Sequence, residues 1–318
     1  MKYKEIRTAN GPLKVSALAI GSTVKMGGLD KESFFELYDM FLDAGGNCID
    51  TARAYGGGQA EALIGEYLRS RGNRDRIVIS TKCCNHADDG APRVTERVMR
   101  EELETSLKML GTDHIDIYWL HKDDENTPVE SIVDFVNAVI KEGKIGAVGC
   151  SNWKHTRIDA ANRYAAQTGQ RGFEASQIQW NLAEAEQSYF DRFTSLLMTD
   201  EAYRWYYENK MPVFAFSSQA QGFFSKAAAS GVESLSEMLS VPYVNAGNLK
   251  RLERLKEIAA EKKVPVSVPV LAYLINNKVD CVPVFGATRK QMLLEALQAV
   301  DFEMTAEEAD ELFLCGRK

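Results

Sequence analysis

The stretch Asn-Cys-Ile-Asp-Thr-Ala-Arg-Ala-Tyr, from Asn47 to Tyr55, places an acid and a phenol five residues apart at the end of an apolar step. Cys48 and Ile49 read as the end of a buried strand, so Asp50 falls at its tip and Tyr55 on the loop leaving it. Gly56, Gly57 and Gly58 follow and let the backbone turn sharply. A polar strand tip beside a permissive loop is a common mount for catalytic groups, although an acid there also serves as a helix cap or loop anchor. Other apolar strands further along end in polar residues too: Lys82, His121, Ser151-Asn152 and Gln179. If Asp50, Tyr55, Lys82 and His121 met in one confined space, each would perturb the proton affinity of the others. The chemistry open to such a group is proton transfer.

Bringing these tips together requires a particular arrangement of elements. Strand patterns at Leu18–Ile20, Cys48–Asp50, Ile77–Lys82, Ile115–Leu120, Ile145–Cys150, Ala175–Gln179, Val213–Phe216 and Cys281–Phe285 alternate with helical stripes, such as Val98, Leu103, Leu107 and Leu110. Most tips recur about thirty residues apart, the length of a βα unit, which implies a parallel sheet. Eight units favour an α/β fold of the closed (β/α)8 TIM-barrel type over an open doubly wound sheet, because the turn after the first strand, Gly21 to Gly27, lacks G-x-G-x-x-G. The turn signal Asn10-Gly11-Pro12 predicts an N-terminal β-hairpin acting as lid or plug. No linker divides the chain, so a single domain over residues 1–318 is expected. Long βα loops, Asn181–Lys210 and Ser218–Asn248, fall on the C-terminal face, where barrels carry their sites. Trp205, Tyr206 and Tyr207 in the first could line a pocket or simply pack the loop down.

The 318 residues are 45% hydrophobic and 26% charged, as expected of a globular protein. A net charge of -7 argues against nucleic acid or anionic lipid as a partner, since both need clustered Lys and Arg. The N-terminus lacks the apolar core of a signal peptide and no apolar run approaches a membrane span, which predicts a cytoplasmic protein. Six cysteines without CxxC spacing read as reduced, and the four histidines show no HExxH spacing, so no metal is expected.

Taken together, Asn47–Tyr55, the strand ending in Lys82, Ile115–His121, Gly143–Asn152, Gln177–Asn181 and Phe214–Gly222 resemble the aldo-keto reductases over nearly the whole chain. The resemblance implies an oxidoreductase that reduces an aldehyde or ketone with NADPH, NAD being possible, through a tetrad of Asp50, Tyr55, Lys82 and His121. These residue types suit that chemistry. A carbonyl that accepts hydride needs a proton at oxygen. Tyr55 would supply it, with Lys82 lowering a phenol pKa that is ordinarily ~10. Asp50 would hold Lys82 and His121 would orient the substrate.

The same resemblance assigns Ser151, Asn152 and Gln177 to the nicotinamide amide, and Phe216 to its ring face. It assigns Ser217, Ser218, Ala220, Gly222 and Phe223 to the pyrophosphate. Gly286, Thr288, Arg289, Met292 and Glu295 would enclose the adenosine end, with Arg289 or Lys290 meeting a 2'-phosphate. Met292 and Ala296 depart from the residues common there. The substrate pocket is expected to use Val24–Met26, Trp119, Lys122–Asp124, Trp153, Trp180 and the long loops. Lys122-Asp123-Asp124 tilts the choice toward a sugar-type carbonyl. The alternatives are a nucleotide-binding regulatory subunit resembling the potassium-channel β-subunits, and an isomerase or aldolase in which Lys82 forms a Schiff base. Monomer and homo-oligomer stay equally open.

Overall fold

The computed structural model describes residues 1–22, 29–87 and 89–317. Strand β1 (Tyr3–Thr8) pairs antiparallel with β2 (Gly11–Ser16), Tyr3 lying opposite Ser16 and Thr8 opposite Gly11. Eight further strands close into a parallel barrel in chain order: β3 (Ala19–Gly21), β4 (Cys48–Asp50), β5 (Val78–Cys83), β6 (Ile115–Leu120), β7 (Ile145–Ser151), β8 (Ala175–Gln179), β9 (Val213–Phe216) and β10 (Cys281–Phe285). β10 pairs with both β9 and β3, which completes the ring. This is a (β/α)8 TIM barrel, reached because strands covered on both faces carry near-continuous apolar runs.

Side chains alternate between the interior and the helix-facing exterior. Ala19, Cys48, Val78, Ile117, Trp119, Ala147, Ala175, Phe214 and Val282 form one buried cluster with Ile6 and Val15 of the hairpin. Both hairpin residues are fully buried, and Ala9 N donates to Gly146 O at 2.8 Å, near the start of β7. The hairpin therefore plugs the N-terminal end of the barrel. One period further along, Asp50, Ser80, Lys82 and Gln177 share the interior face and lie toward the other end.

The helices α1 (Lys31–Asp43), α2 (Gln59–Arg71), α3 (Glu96–Leu110), α4 (Val129–Ile140) and α5 (His155–Gln167) follow their strands, as the apolar stripes predict. Their ends obey local rules: Asp30 caps α1 through Ser33 N at 2.8 Å, and Thr95 caps α3 through Val98 N. The two long loops depart from the sequence expectation by holding short helices. The first carries α6 (Gln187–Asp191) and α7 (Asp200–Glu208), the second α8 (Phe223–Ser230) and α9 (Glu237–Tyr243). Pieces of five to nine residues are too short for the apolar period to show. The chain closes with α10 (Ala246–Lys262), α11 (Ser267–Ile275), α12 (Lys290–Asp301) and α13 (Ala306–Leu314). Among the described residues, no helix is long and apolar enough to cross a membrane.

Candidate active site

Lys82 is the centre of the mouth. It is 1% exposed, and its Nζ donates to Asp50 Oδ2 and to Thr51 O, each at 2.6 Å. The register places Asp50 beside Ser80, whose hydroxyl donates to Asp50 Oδ1 at 2.7 Å. Gln177 Nε2 donates to the same oxygen at 3.0 Å. The carboxylate is thus held on both oxygens, and the ammonium on its carboxylate and a carbonyl. Such a pair survives burial because its hydrogen-bonding capacity is filled.

Tyr55 begins the turn Tyr55–Gly58, directly above. Lys82 Nζ lies 5.4 Å from the centroid of its ring, and the His121 ring packs edge-on against it with centroids 5.9 Å apart. His121 follows β6 and is fixed by its own N–H donating to Cys83 O at 2.7 Å. The four expected residues therefore converge.

The charges set each protonation state. Burial is the largest single influence on Lys82 and opposes its charge, but the Asp50 carboxylate, through charge and hydrogen bond, leads the groups that together hold its amine above the ordinary lysine value, so it is a cation. His121 goes the other way: burial first, then the charges of Lys82, Lys122 and His86, push it well below the usual imidazole value. Its Nδ1 is buried without a protein partner among the described residues. Tyr55 corrects one expectation. The Lys82 cation is the largest influence and pulls the phenol down as predicted, but burial and the Asp50 charge together leave it above the ordinary value.

The residues expected at a nicotinamide are gathered beside this cluster. Ser151, the last residue of β7, lies opposite Gln177 in the middle of β8. Asn152 has a left-handed backbone with φ 60, and its Nδ2 donates to Ser151 Oγ at 3.1 Å and to His121 O at 3.3 Å. Phe216 ends β9 half-buried. Beyond it Ser217, Ala220, Gln221 and Gly222 all have positive φ (51, 47, 55 and 84), and Ser218 Oγ is tied to Val284 O. That coiled segment leads straight into α8 at Phe223.

At the far end, Gly286 faces open space and Thr288 Oγ1 contacts Met292 Sδ at 3.4 Å. Arg289 stands at the N-terminus of the twelve-residue α12 without a side-chain cap bond and is exposed, with no ion pair among the described residues. Lys290 is paired with Glu36 at 2.8 Å, and Glu295 accepts from Ser267 and Gln291. Polar side chains on and just past β7 and β8, a left-handed turn before α8 and an exposed cation at the N-terminus of α12 form a polar set that fits a dinucleotide.

The expected pocket walls need correction. Trp119 is fully buried inside the barrel, against Phe214 at 5.0 Å. Trp153 packs on Phe173 at 5.0 Å beneath the Arg157 guanidinium, and Trp180 packs edge-on against Tyr203 and Tyr273. Trp205 and Tyr206 hold α7 down, the Tyr206 hydroxyl meeting Ser176 Oγ at 2.8 Å, while Tyr207 is exposed. Trp119, Trp153, Trp180 and Tyr206 are thus buried in packing among these rings.

The charged trio after His121 is equally committed. Lys122 Nζ donates to Phe193 O at 3.0 Å and Thr194 O at 2.7 Å; Asp123 pairs with Arg157 at 2.7 Å; Asp124 caps a turn through Asn126 N and Thr127 Oγ1. Val24–Met26 lie outside the described residues. A cleft of about 410 Å³ does open beside Lys82, lined by Arg53, Asn85, His86, Arg93 and Glu102 among others.

Sequence reasoning missed Ser80 and the direct Gln177–Asp50 bond. Ser80 could have been found, since it stands two residues before Lys82 on the same strand and so shares its face.

The sequence model of the Aldo/keto reductase family matches residues 17–315. Among curated proteins, the chain is 27% identical to aryl-alcohol dehydrogenase GME11368 of Pestalotiopsis microspora, over 95% of this chain and 77% of that protein. It is 30% identical to the aldo-keto reductase ausK of Emericella nidulans, over 96% of this chain and 78% of that protein. An aryl-alcohol dehydrogenase [NADP(+)] of Phanerodontia chrysosporium is 34% identical over 54% of this chain and 48% of its own length.

Proposed function

The chain belongs to the aldo/keto reductase family, and from that premise we propose that it reduces an aromatic aldehyde or ketone to the alcohol with NADPH, Tyr55 delivering the proton. The family's oxidoreductase chemistry on small carbonyl compounds sets the reaction class. The observation that carries the finer reading is the Lys82 cation, clasped by Asp50 at 2.6 Å with the Tyr55 ring 5.4 Å from its amine.

When bound, the nicotinamide would supply hydride to the carbonyl carbon. The protein's part is to manage the charge that then builds on oxygen. Tyr55 is protonated at neutral pH and so is ready to give its proton as that charge develops. The phenolate left behind faces the Lys82 cation, which Asp50 and Thr51 O keep charged and in place. His121 is neutral, so it directs a hydrogen bond at the oxygen without adding a competing charge. A lysine held protonated is a poor nucleophile, which argues against a Schiff base at Lys82.

Two observations favour an aromatic over a sugar-type substrate. The three charges that would have recognised hydroxyl groups are occupied within the protein, and relatives along most of the chain carry the name aryl-alcohol dehydrogenase. NADPH is preferred because Arg289 stands open at the start of α12, where a 2'-phosphate would meet both cation and helix dipole.

The test is coenzyme consumption against aromatic aldehydes, sugars and aliphatic ketones, with NADPH and NADH compared. Tyr55→Phe should lose about 10²- to 10⁴-fold in kcat, the usual worth of a positioned acid. Full turnover by that variant would refute the assigned donor, and a sugar turned over faster than every aromatic compound would refute the substrate class.

A further inference from the structure

Glu61 is a carboxylate with 0% exposure on the first turn of α2, and the proton-transfer scheme does not use it. Fully buried glutamates are rare unless they are paired. Its Oε1 accepts from Thr81 Oγ1 at 2.7 Å, and Thr81 is the neighbour of Lys82 on β5. Its Oε2 faces Arg53 Nη1 at 3.4 Å. Arg53 in turn donates through Nη2 to Gly57 O at 3.1 Å and through its backbone N–H to Lys82 O at 3.0 Å.

What this network holds is the turn that carries Tyr55. That turn runs through three glycines, all with positive φ and with no side-chain cap at its start. Its composition alone would leave it loose, since glycine forfeits the most conformational freedom on ordering. The Arg53 guanidinium lies close against Gly58, where a Cβ would come within 1.6 Å of Nη1, so the turn and the side chain are shaped to each other. One cation thus ties the turn to α2, and the same carboxylate ties α2 to the strand bearing Lys82.

We propose that Arg53 and Glu61 are a positioning pair that clamps the Tyr55–Gly58 turn to β5, so that the phenol and the Lys82 amine keep a fixed separation during proton transfer. The proposal rests on the reading of Tyr55 as proton donor. Burial holds the Glu61 carboxyl above the usual range, which Thr81 and Arg53 oppose, and the cost of burying it is consistent with a role beyond packing.

The experiment measures kcat, KM and NADPH binding by nucleotide fluorescence for Arg53→Met, Arg53→Lys and Glu61→Gln, each also in the Tyr55→Phe background. Arg53→Met should lower kcat by about tenfold to a hundredfold, the scale of a small misplacement of reacting groups. NADPH affinity and KM should hold, and Arg53→Lys or added guanidinium should restore part of the loss. In the Tyr55→Phe background Arg53→Met should have no further effect. Wild-type kcat in Arg53→Met and Glu61→Gln, beside an inactive Tyr55→Phe, would overturn the clamp and leave the donor assignment standing. An equal further loss on top of Tyr55→Phe would also overturn it. A fully active Tyr55→Phe would instead remove the donor assignment. Should Arg53→Met fail to fold, Arg53→Lys and Glu61→Gln give the same readout, and wild-type kcat in both overturns the clamp.

Discussion

Trp119 Nε1 donates to Ser80 Oγ at 2.7 Å. The same hydroxyl donates onward to Asp50, so a ring expected to face substrate buttresses the ion pair from inside the barrel. Removing the hydroxyl strips one bond from Asp50 and leaves a buried indole N–H without a partner, a situation that costs about 1–3 kcal/mol. Ser80→Ala should therefore lose that much stability in urea unfolding and keep measurable turnover, whereas Asp50→Asn should lose nearly all of it. Equal kcat values for the two variants would show that the buttress, not the carboxylate, sets the rate.

The same ring lies against a glycine. A Cβ at Gly149 on β7 would stand 2.3 Å from two atoms of the Trp119 ring and 2.9 Å from Ala175 O. Neither a buried indole nor a strand carbonyl can move aside freely. Gly149→Ala is expected to cost about 1–3 kcal/mol, the range for overpacking, and to lower kcat by tilting Trp119 away from Ser80. Thermal unfolding with coenzyme kinetics checks both, and an unchanged melting temperature would contradict the packing described.

Because Tyr55 stays above the ordinary phenol value and His121 well below the ordinary imidazole value, neither changes charge near neutrality. Carbonyl reduction should be level in log kcat from about pH 6 to 9 and fall only above ~10, the reference for a phenol. Alcohol oxidation, which needs the phenolate, should climb over the same alkaline range. His121 also affects stability: its folded value is depressed, so the unfolded chain binds more protons below about pH 6.5 and stability drops there as pH falls. An inflection in reduction near 6.5 that His121→Asn abolishes would disprove the neutral imidazole.

Lys122 has no carboxylate partner among its hydrogen bonds, and burial draws it down to about 8. Between about 8 and about 10.4, the value for a free lysine, the unfolded chain holds a proton that the folded one has released. Stability from this group must therefore rise with pH across that window, and the burial penalty is complete below it. Comparing urea midpoints with Lys122→Met, the gap should shift in favour of the native protein from pH 8 to 10. Parallel curves would refute the depressed value. The variant should also loosen residues 193–194, seen as faster amide exchange there.

The barrel and the meeting of four polar residues at its mouth were legible for one reason. A strand that is apolar on both faces and then ends in Asp, Lys or His announces both its length and its tip, and Asp50, Lys82 and His121 stand at such ends. Tyr55 was legible from the chemistry of a phenol near an acid. The walls were not, because tryptophan is both a large apolar filler and a polar handle. Trp119, Trp153 and Trp180 satisfy packing that the chain order does not reveal. Charge misled in the same way: Lys122 and Asp123 resemble a recognition patch, yet their partners Phe193, Thr194 and Arg157 come from a distant loop and from α5, whose approach depends on the folded barrel, while Asp124 is used locally to cap its own turn at Thr127. Arg53 and Glu61 went unnoticed because their meaning lies in three separated segments meeting.

With Ile6 and Val15 seated as a stopper in the base of the cylinder, the ionised layer above it has dry floor beneath and water on one side only. Any proton lost from Tyr55 must be replenished through the upper opening, the way by which an alcohol would leave. Reprotonation and departure of the alcohol would then share a doorway, so that viscosity and heavy water should slow turnover together.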